Sequence, residues 1–447
     1  MVFVPGEVHD PADARWKQPH TPPLISGANI VGGTGTRLPR AREGRTIMTS
    51  PEVEPDVELP IPLPDVPGAD AGSGGLPKRS DLTPFQRVVV DTSAAADIGL
   101  RTAISTVVGA AVAPTILTTA VRRSEARRER ENIAFYADLA KHHDSARSFP
   151  APTAVPNVSF RAANPVAEYI ARGHVHNGSF ASSYEPINPA MRGKWSHFKR
   201  NNIVRFQHWR RSDGPRPTLC VIHGFMGSPY LVNGLFFSLP WFYRSGYDVL
   251  LYTLPFHGRR AERNSPFSGY GYFASGMTGF AEAMGQAVYD FRTILNWLRH
   301  KGVERIALTG ISLGGYTSAL VASADDRIEA VIPNVPLVTP ESAFDEWWPA
   351  SKVVQLTRVV GGMSREEAYS GFAYHSPLNY QPKVPKDRRL IITGLGDRLA
   401  PPDHAEALWK HWDRCALHWF PGNHVLHVSQ PEYLRRTNRF LRPLMFE

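Results

Sequence analysis

From about residue 200 the chain alternates between two patterns. Short apolar, β-branched runs predict strands at 203–206, 218–222, 248–252, 305–309, 328–332, 389–393 and 417–420. Between them, apolar residues recurring every three or four positions predict helices at 280–300, 315–324, 404–412 and about 432–441. Strands and helices in alternation are the pattern of an α/β fold, a mostly parallel sheet covered by helices on both faces. The stretch 336–380 carries no strand pattern. An insertion there would sit as a helical cap above the carboxyl edge of the sheet, where such folds bind ligands.

The first 150 residues read differently. Up to about residue 85 the chain is rich in Pro and Gly, and Glu52, Glu54, Asp56, Glu58 and Asp65 alternate with Val, Leu, Ile and Pro. Such a segment buries too little to offset chain entropy, so 1–85 is expected to be largely disordered, with a proline-stiffened stretch. Met48 is an alternative start. Residues 86–150 are expected to be helical. Within them, 102–121 carry no charge between Arg101 and Arg122, a length that suits a membrane span of about 20 residues. Thr, Ser and Ala, with Gly109 and Pro114, dilute its apolar character, so a helix packed on the rest of the chain is the other reading. If it inserts, the Arg-rich stretch after it would lie on the cytoplasmic side. That stretch, 122–144, reads as a solvated helix burying one face through Ile133, Phe135, Tyr136 and Leu139.

A net charge of +9 and a pI near 9.5 suit either an arginine-rich solvated surface or an anionic partner. No Lys/Arg block is interleaved with aromatics, so nucleic acid is not expected. Cys220 and Cys415 are the only cysteines. Two cannot build a disulfide framework, and a reducing, cytoplasmic location is the simpler expectation. The opening residues lack the basic, apolar, then small pattern of an export signal.

Four loops carry chemistry. Gly310-Ile-Ser312-Leu-Gly314 lies between the predicted strand at 305–309 and the helix at 315. A turn so tight holds its serine in a strained backbone that only small flanking residues allow. The hydroxyl then stands above the sheet, and the N–H of Leu313 opens a helix whose dipole favours a developing anion. His223-Gly-Phe225-Met226-Gly227 follows the strand at 218–222. There Gly224 would give room for a second N–H, from Phe225 or Met226, to face the first. Asp397 follows the strand at 389–393 as an acid able to orient an imidazolium; its competitor Asp403 suits the start of the next helix. His424 follows the last strand, and its loop position favours it over His427 as a base.

Other residues have weaker claims. Arg259 and Arg260 suit a carboxylate or phosphate, or a pairing with Glu262. His174 and His176 have no third ligand nearby, so no metal is expected. Residues 264–277 either line the pocket or form a surface loop.

Together these motifs, in the order serine, acid, histidine, resemble the α/β-hydrolase superfamily over about residues 200–447. The loop Leu254-Pro-Phe-His257-Gly-Arg-Arg260 falls where that superfamily has a loop entering the site. Its basic character is similar to that of α/β-hydrolase-domain proteins of uncharacterised function. The resemblance implies an α/β-hydrolase fold at 151–447, with a cap at about 336–380 and an N-terminal extension. It also implies Ser312 as nucleophile, Asp397 as acid and His424 as base, with Phe225 or Met226 and Leu313 as oxyanion donors. His223, His257, Arg259 and Arg260 are left as substrate-binding candidates. The implied activity is that of a lipase-like serine esterase working through an acyl-enzyme, with no metal or organic cofactor. Its substrate would be a small-molecule or lipid ester, and membrane association through 102–121 and the oligomeric state stay open. An acyltransferase using the same residues and a non-catalytic binding protein on this fold are the alternatives.

Overall fold

The apolar runs of the second half pair into one sheet, and the reason lies in how completely they are covered. The computed structural model describes residues 69–70, 74–227, 229–425 and 430–447, all within one compact unit, Pro55–Glu447. The expectations for residues 1–68, including the start at Met48, lie outside the described residues. The described strands are β1 (Ala69–Asp70), β2 (Ser159–Ala162), β3 (His174–Ala181), β4 (Ile203–Arg210) and β5 (Thr218–Ile222). They continue with β6 (Asp248–Thr253), β7 (Ile306–Ile311), β8 (Ala330–Asn334), β9 (Leu390–Gly394) and β10 (Ala416–Phe420). Their order is β1-β10-β9-β8-β7-β5-β6-β4-β3-β2. The block from β10 to β6 is parallel. β4, β3 and β2 at one edge, and β1 at the other, run antiparallel.

The helices around the site and the sheet include α1 (Pro84–Val121), α2 (Arg123–Ala140), α3 (Gly276–His300), α4 (Leu313–Ala324), α5 (Pro340–Glu346), α6 (Ala350–Val360), α7 (Pro402–His411) and α8 (Gln430–Phe446). Residue alternation along the strands divides them between two cores. Cys220 and Ile222, Leu250 and Tyr252, and Ile306 and Leu308 face the layer built by α3, α4 and α7. Leu219 and Val221, Val249 and Leu251, and Ala307 and Ile311 face the layer that includes α8. Burial on both faces is why these strands read as unbroken apolar runs. Each large side chain so enclosed contributes on the order of 1.5–3 kcal/mol.

Register brings the chemically interesting loops to one edge. Ile222 pairs with Gly310, Gly310 with Pro333, Asn334 with Ile392, and Gly394 with Phe420. The loops after β5, β7, β9 and β10 therefore leave the sheet side by side. The strands expected at 305–309 and 328–332 run two residues further towards that edge, because Gly310 and Ile311 continue the ladder against Pro333 and Asn334. β2 and β3 were not expected. β3 buries only Val175, Gly178 and Phe180 between polar residues, the pattern of a half-covered antiparallel edge.

The described chain is also structured ahead of residue 85, contrary to the expected boundary. β1 pairs with β10, and Leu82 packs against Val90 and Trp419. Thr83 and Gln86 then cap α1 reciprocally, at 3.2 and 3.0 Å, with Pro84 in the first helical position. The buried residues of α1 are Val90, Ala94, Asp97, Ser105, Gly109, Val112 and Ala120. Steps of three, four and eight put them on a single stripe. The rest of the helix is largely open, with Phe85, Val88, Val107 and Val121 exposed.

Candidate active site

Sterics explain the glycines around Ser312. A Cβ at Gly310 would lie 2.3 Å from the Gly314 carbonyl oxygen, and one at Gly314 would lie 2.1 Å from that of Ile222. Neither backbone could sit so close with a larger residue. Between them Ser312 takes φ 55° and ψ −119°, a strained conformation for a residue with a side chain. Its N–H donates to Asn334 at 3.0 Å, and its carbonyl accepts from Tyr316 at 2.8 Å, inside the first turn of α4. Ser312 is half-buried, and Leu313 begins α4.

The loop after β5 departs from expectation in one respect. A Cβ at Gly224 would meet Ser312 Cβ at 3.4 Å, an ordinary contact, so the required glycine is not Gly224. It is Gly227, whose Cβ would come within 2.1 Å of the His223 ring. Met226, with φ 59°, takes the left-handed turn next to it. His223 itself ties two loops together. Its Nδ1 lies 2.8 Å from the Gly224 carbonyl, and its Nε2 accepts from the Leu254 N–H at 3.1 Å. Nδ1 therefore carries the proton, and burial pushes the ring pKa down to about 4.

Asp397 and His424 meet across the ends of β9 and β10. Nδ1 of His424 donates to Asp397 Oδ2 at 2.7 Å. The other carboxylate oxygen accepts the N–H groups of Leu399 and Ala400, at 2.8 and 2.7 Å. Both residues are buried. Burial works against a charged His424 ring, but the charge and hydrogen bond of Asp397, with Asp97 beyond it, outweigh this and raise the pKa. Asp403 lies in the first turn of α7, after an N-cap at Pro401. His427 lies outside the described residues.

Asp97 was missed by the sequence reading. It belongs to α1, yet its Oδ2 accepts the backbone N–H groups of both His424 and Arg398, each at 3.0 Å. Nearby, Asn423 donates to the Ser93 carbonyl at 3.3 Å and Arg101 to that of Arg398 at 3.1 Å. α1 thus clasps the two loops that carry Asp397 and His424. Burial raises the Asp97 pKa, although the two N–H groups oppose the shift. The usable signal was an acid on the buried stripe of an otherwise uncharged helix face.

Further along, Ser105 fastens α1 to the cap. Its hydroxyl donates to the Trp347 carbonyl at 2.5 Å and accepts from Ala350 N–H at 3.0 Å. A pocket of about 100 Å³ opens at Ser312, bounded by Phe225, Leu313, Leu337, Phe344, Trp347 and Leu399 among others. His223, His257, Arg259 and Arg260 are not among its walls. Arg260 departs from the substrate-binding role expected of it. It is fully enclosed, donates to Asp290 at 2.6 Å and to the Asn201 and Thr253 carbonyls, and so serves the core. His257 is also enclosed, with Nδ1 on the Pro255 carbonyl at 2.7 Å. Arg259 is exposed, and Glu262 accepts instead from the backbone of Arg200 and Asn201. Of residues 264–277, Phe273 lines the pocket. Among the described residues, no group of three His, Cys, Asp or Glu side chains could hold a metal ion.

A family model described as the alpha/beta hydrolase fold matches residues 217–359. An uncharacterized protein of Mycobacterium tuberculosis, found in two strains, is 30% identical over 260 residues. The match spans 55% of this chain and 59% of the relative's length. Among solved structures, an acetyl xylan esterase from Paenibacillus sp. R4 is 16% identical with a TM-score of 0.46, covering 69% of this chain and 93% of that one. Acetyl xylan esterase 1 from Thermoanaerobacterium sp. is 12% identical with a TM-score of 0.48, covering 71% and 98%.

Proposed function

We propose that this chain, whose fold is that of the α/β hydrolases, is a serine hydrolase that cleaves carboxylic esters through an acyl-enzyme. The observation that carries the reading is the 2.7 Å bond from His424 Nδ1 to a buried Asp397, at the sheet edge where Ser312 occupies its strained turn. With its proton held on Nδ1, the ring has Nε2 free to act as a base. Nε2 takes the Ser312 proton as the oxygen attacks the ester carbonyl, and Asp397 stabilises the imidazolium. The N–H of Leu313, with that of Phe225 or Met226, holds the oxyanion. Collapse of the tetrahedral species expels the alcohol, which takes the proton from His424. Water then attacks the acyl-serine by the same route in reverse and releases the acid.

Apolar walls around Ser312 favour an acyl group with hydrocarbon character over a small acidic substrate. Arg260, which would have held an acid, is committed to Asp290. The test is Ser312→Ala in the full chain. Ester turnover should fall by about 10⁴-fold or more, and labelling by a fluorophosphonate probe should vanish. Unchanged turnover in this variant would refute the reading.

A further inference from the structure

We propose that the cavity beneath α1 and α6 is an acyl-chain site that continues the Ser312 pocket and takes one long, unbranched hydrocarbon chain. The inference rests on the hydrolase reading and narrows its substrate class to long-chain acyl esters. The cavity encloses about 390 Å³, against about 100 Å³ at Ser312. Only the larger volume falls within the span usual for small-molecule sites, roughly 300–1,000 Å³. Val108, Phe273, Phe280, Phe344, Ala350 and Val354 line both spaces, so these six form the waist between them. Beyond it the wall follows α1 through Val112 and Ile116 to Ala120, about 18 Å of helix from Val108. Met191 and Met277 add side chains that adapt to a flexible guest.

Most of the wall along α1 and α6 is apolar, and the charged side chains among the lining are Glu125, Arg128, Glu129, Lys194 and Arg358. A hydrocarbon chain bound to Ser312 as its acyl group would leave the small pocket, pass the waist and lie along the apolar residues of α1. The chain exchanges water for apolar walls with every methylene it inserts. On α1, Gly109, Val112 and Ala120 of the buried stripe line the cavity, while Val107 and Val121 on its outer face are exposed.

The experiment compares acetyl, octanoyl and hexadecanoyl esters of one alcohol on the full chain and two filled variants, Val112→Trp from α1 and Val353→Trp from α6. In the unaltered protein kcat/KM should rise with chain length, by up to about fourfold for each methylene buried. Either tryptophan should lower the hexadecanoyl-to-acetyl ratio by about tenfold or more. A readout independent of turnover is calorimetric binding of dodecanoate to the Ser312→Ala chain, which Val112→Trp should abolish. A ratio near one in the unaltered protein, or a ratio unmoved in both variants with thermal melts matching it, overturns the proposal. Dodecanoate binding that Val112→Trp abolishes, without hydrolysis of any ester, keeps the chain site and refutes the hydrolase reading. No turnover and no binding refute both.

Discussion

The strands that carry the candidate site and the helix that roofs it are held by different physics. Every residue of β5, β6, β7, β8 and β9 is buried. α1 buries seven of its 38 residues, and two of those seven, Asp97 and Ser105, are polar. The sheet is thus covered continuously by apolar burial on both faces, whereas α1 is attached along one narrow stripe, with hydrogen bonds from Asp97 and Ser105 to loop backbone. A region held by few directional contacts opens at lower free energy than the core. The same contrast decides how 102–121 behaves. One described helix is long and apolar enough to cross a membrane, and it is α1. Its inner stripe is nonetheless committed to the site loops and the cap through Asp97, Ser105 and Gly109, whose Cβ would touch Ala350 at 3.1 Å.

Substitutions on the two sides should separate accordingly. The largest effect belongs to the sheet side. Asp397→Asn should lower kcat by roughly 10³- to 10⁴-fold, since an amide no longer selects the Nδ1-protonated ring or steadies its cation. Circular dichroism and kcat/KM on one ester check this; near-normal turnover would mean that the acid lies elsewhere. Arg260→Ala should be the most damaging to stability, by about 3–5 kcal/mol, because it strands the fully buried Asp290 carboxylate. Urea unfolding measures it. A substrate-binding role would instead show as a raised KM with unchanged stability.

The roof should give smaller and more specific changes. Asp97→Asn should cost about tenfold in kcat/KM, by loosening the bonds to the His424 and Arg398 N–H groups. It also removes a negative charge that raises the His424 pKa. The ring then stays neutral, and competent as a base, further into acid, so the acid limb of the pH–rate profile moves to lower pH. A purely structural Asp97 would lower the rate without moving that limb. Smallest of the four, Ser105→Ala should lose about 1–2 kcal/mol of stability, read by thermal melting, because the Trp347 carbonyl and the Ala350 N–H lose their partner. Its pH profile should match that of the unaltered protein. A shifted limb there would mean that α1 transmits to His424 through the helix as a whole.

Much of the site edge was legible because its signals are local. The seven core strands follow from apolar runs, and the turn at Ser312 follows from five consecutive residues whose glycines meet backbone at 2.1 to 2.3 Å. Two neighbouring readings went astray for the opposite reason. Gly224 and Gly227 look alike in sequence, and only the position of the His223 ring shows which one needs to be glycine. Arg259 and Arg260 are likewise adjacent, yet one is exposed and the other is sealed against Asp290. Which of two neighbouring arginines turns inward depends on a helix that arrives thirty residues later.

By itself the sequence determined the alternation of strand and helix, the serine turn, and the order in which serine, acid and histidine follow three parallel strands. Each rests on periodicity or on sterics within a few residues. Only the tertiary structure decided that Asp97 supports the backbone of His424 across 327 residues of chain. The same holds for the apolar run of α1, which lines a cavity beside Ser312. A helix stripe states that one face will be covered. What covers it is set by the packing of the whole chain, where Oδ2 of the enclosed Asp97 accepts the N–H groups that two distant loops bring to it.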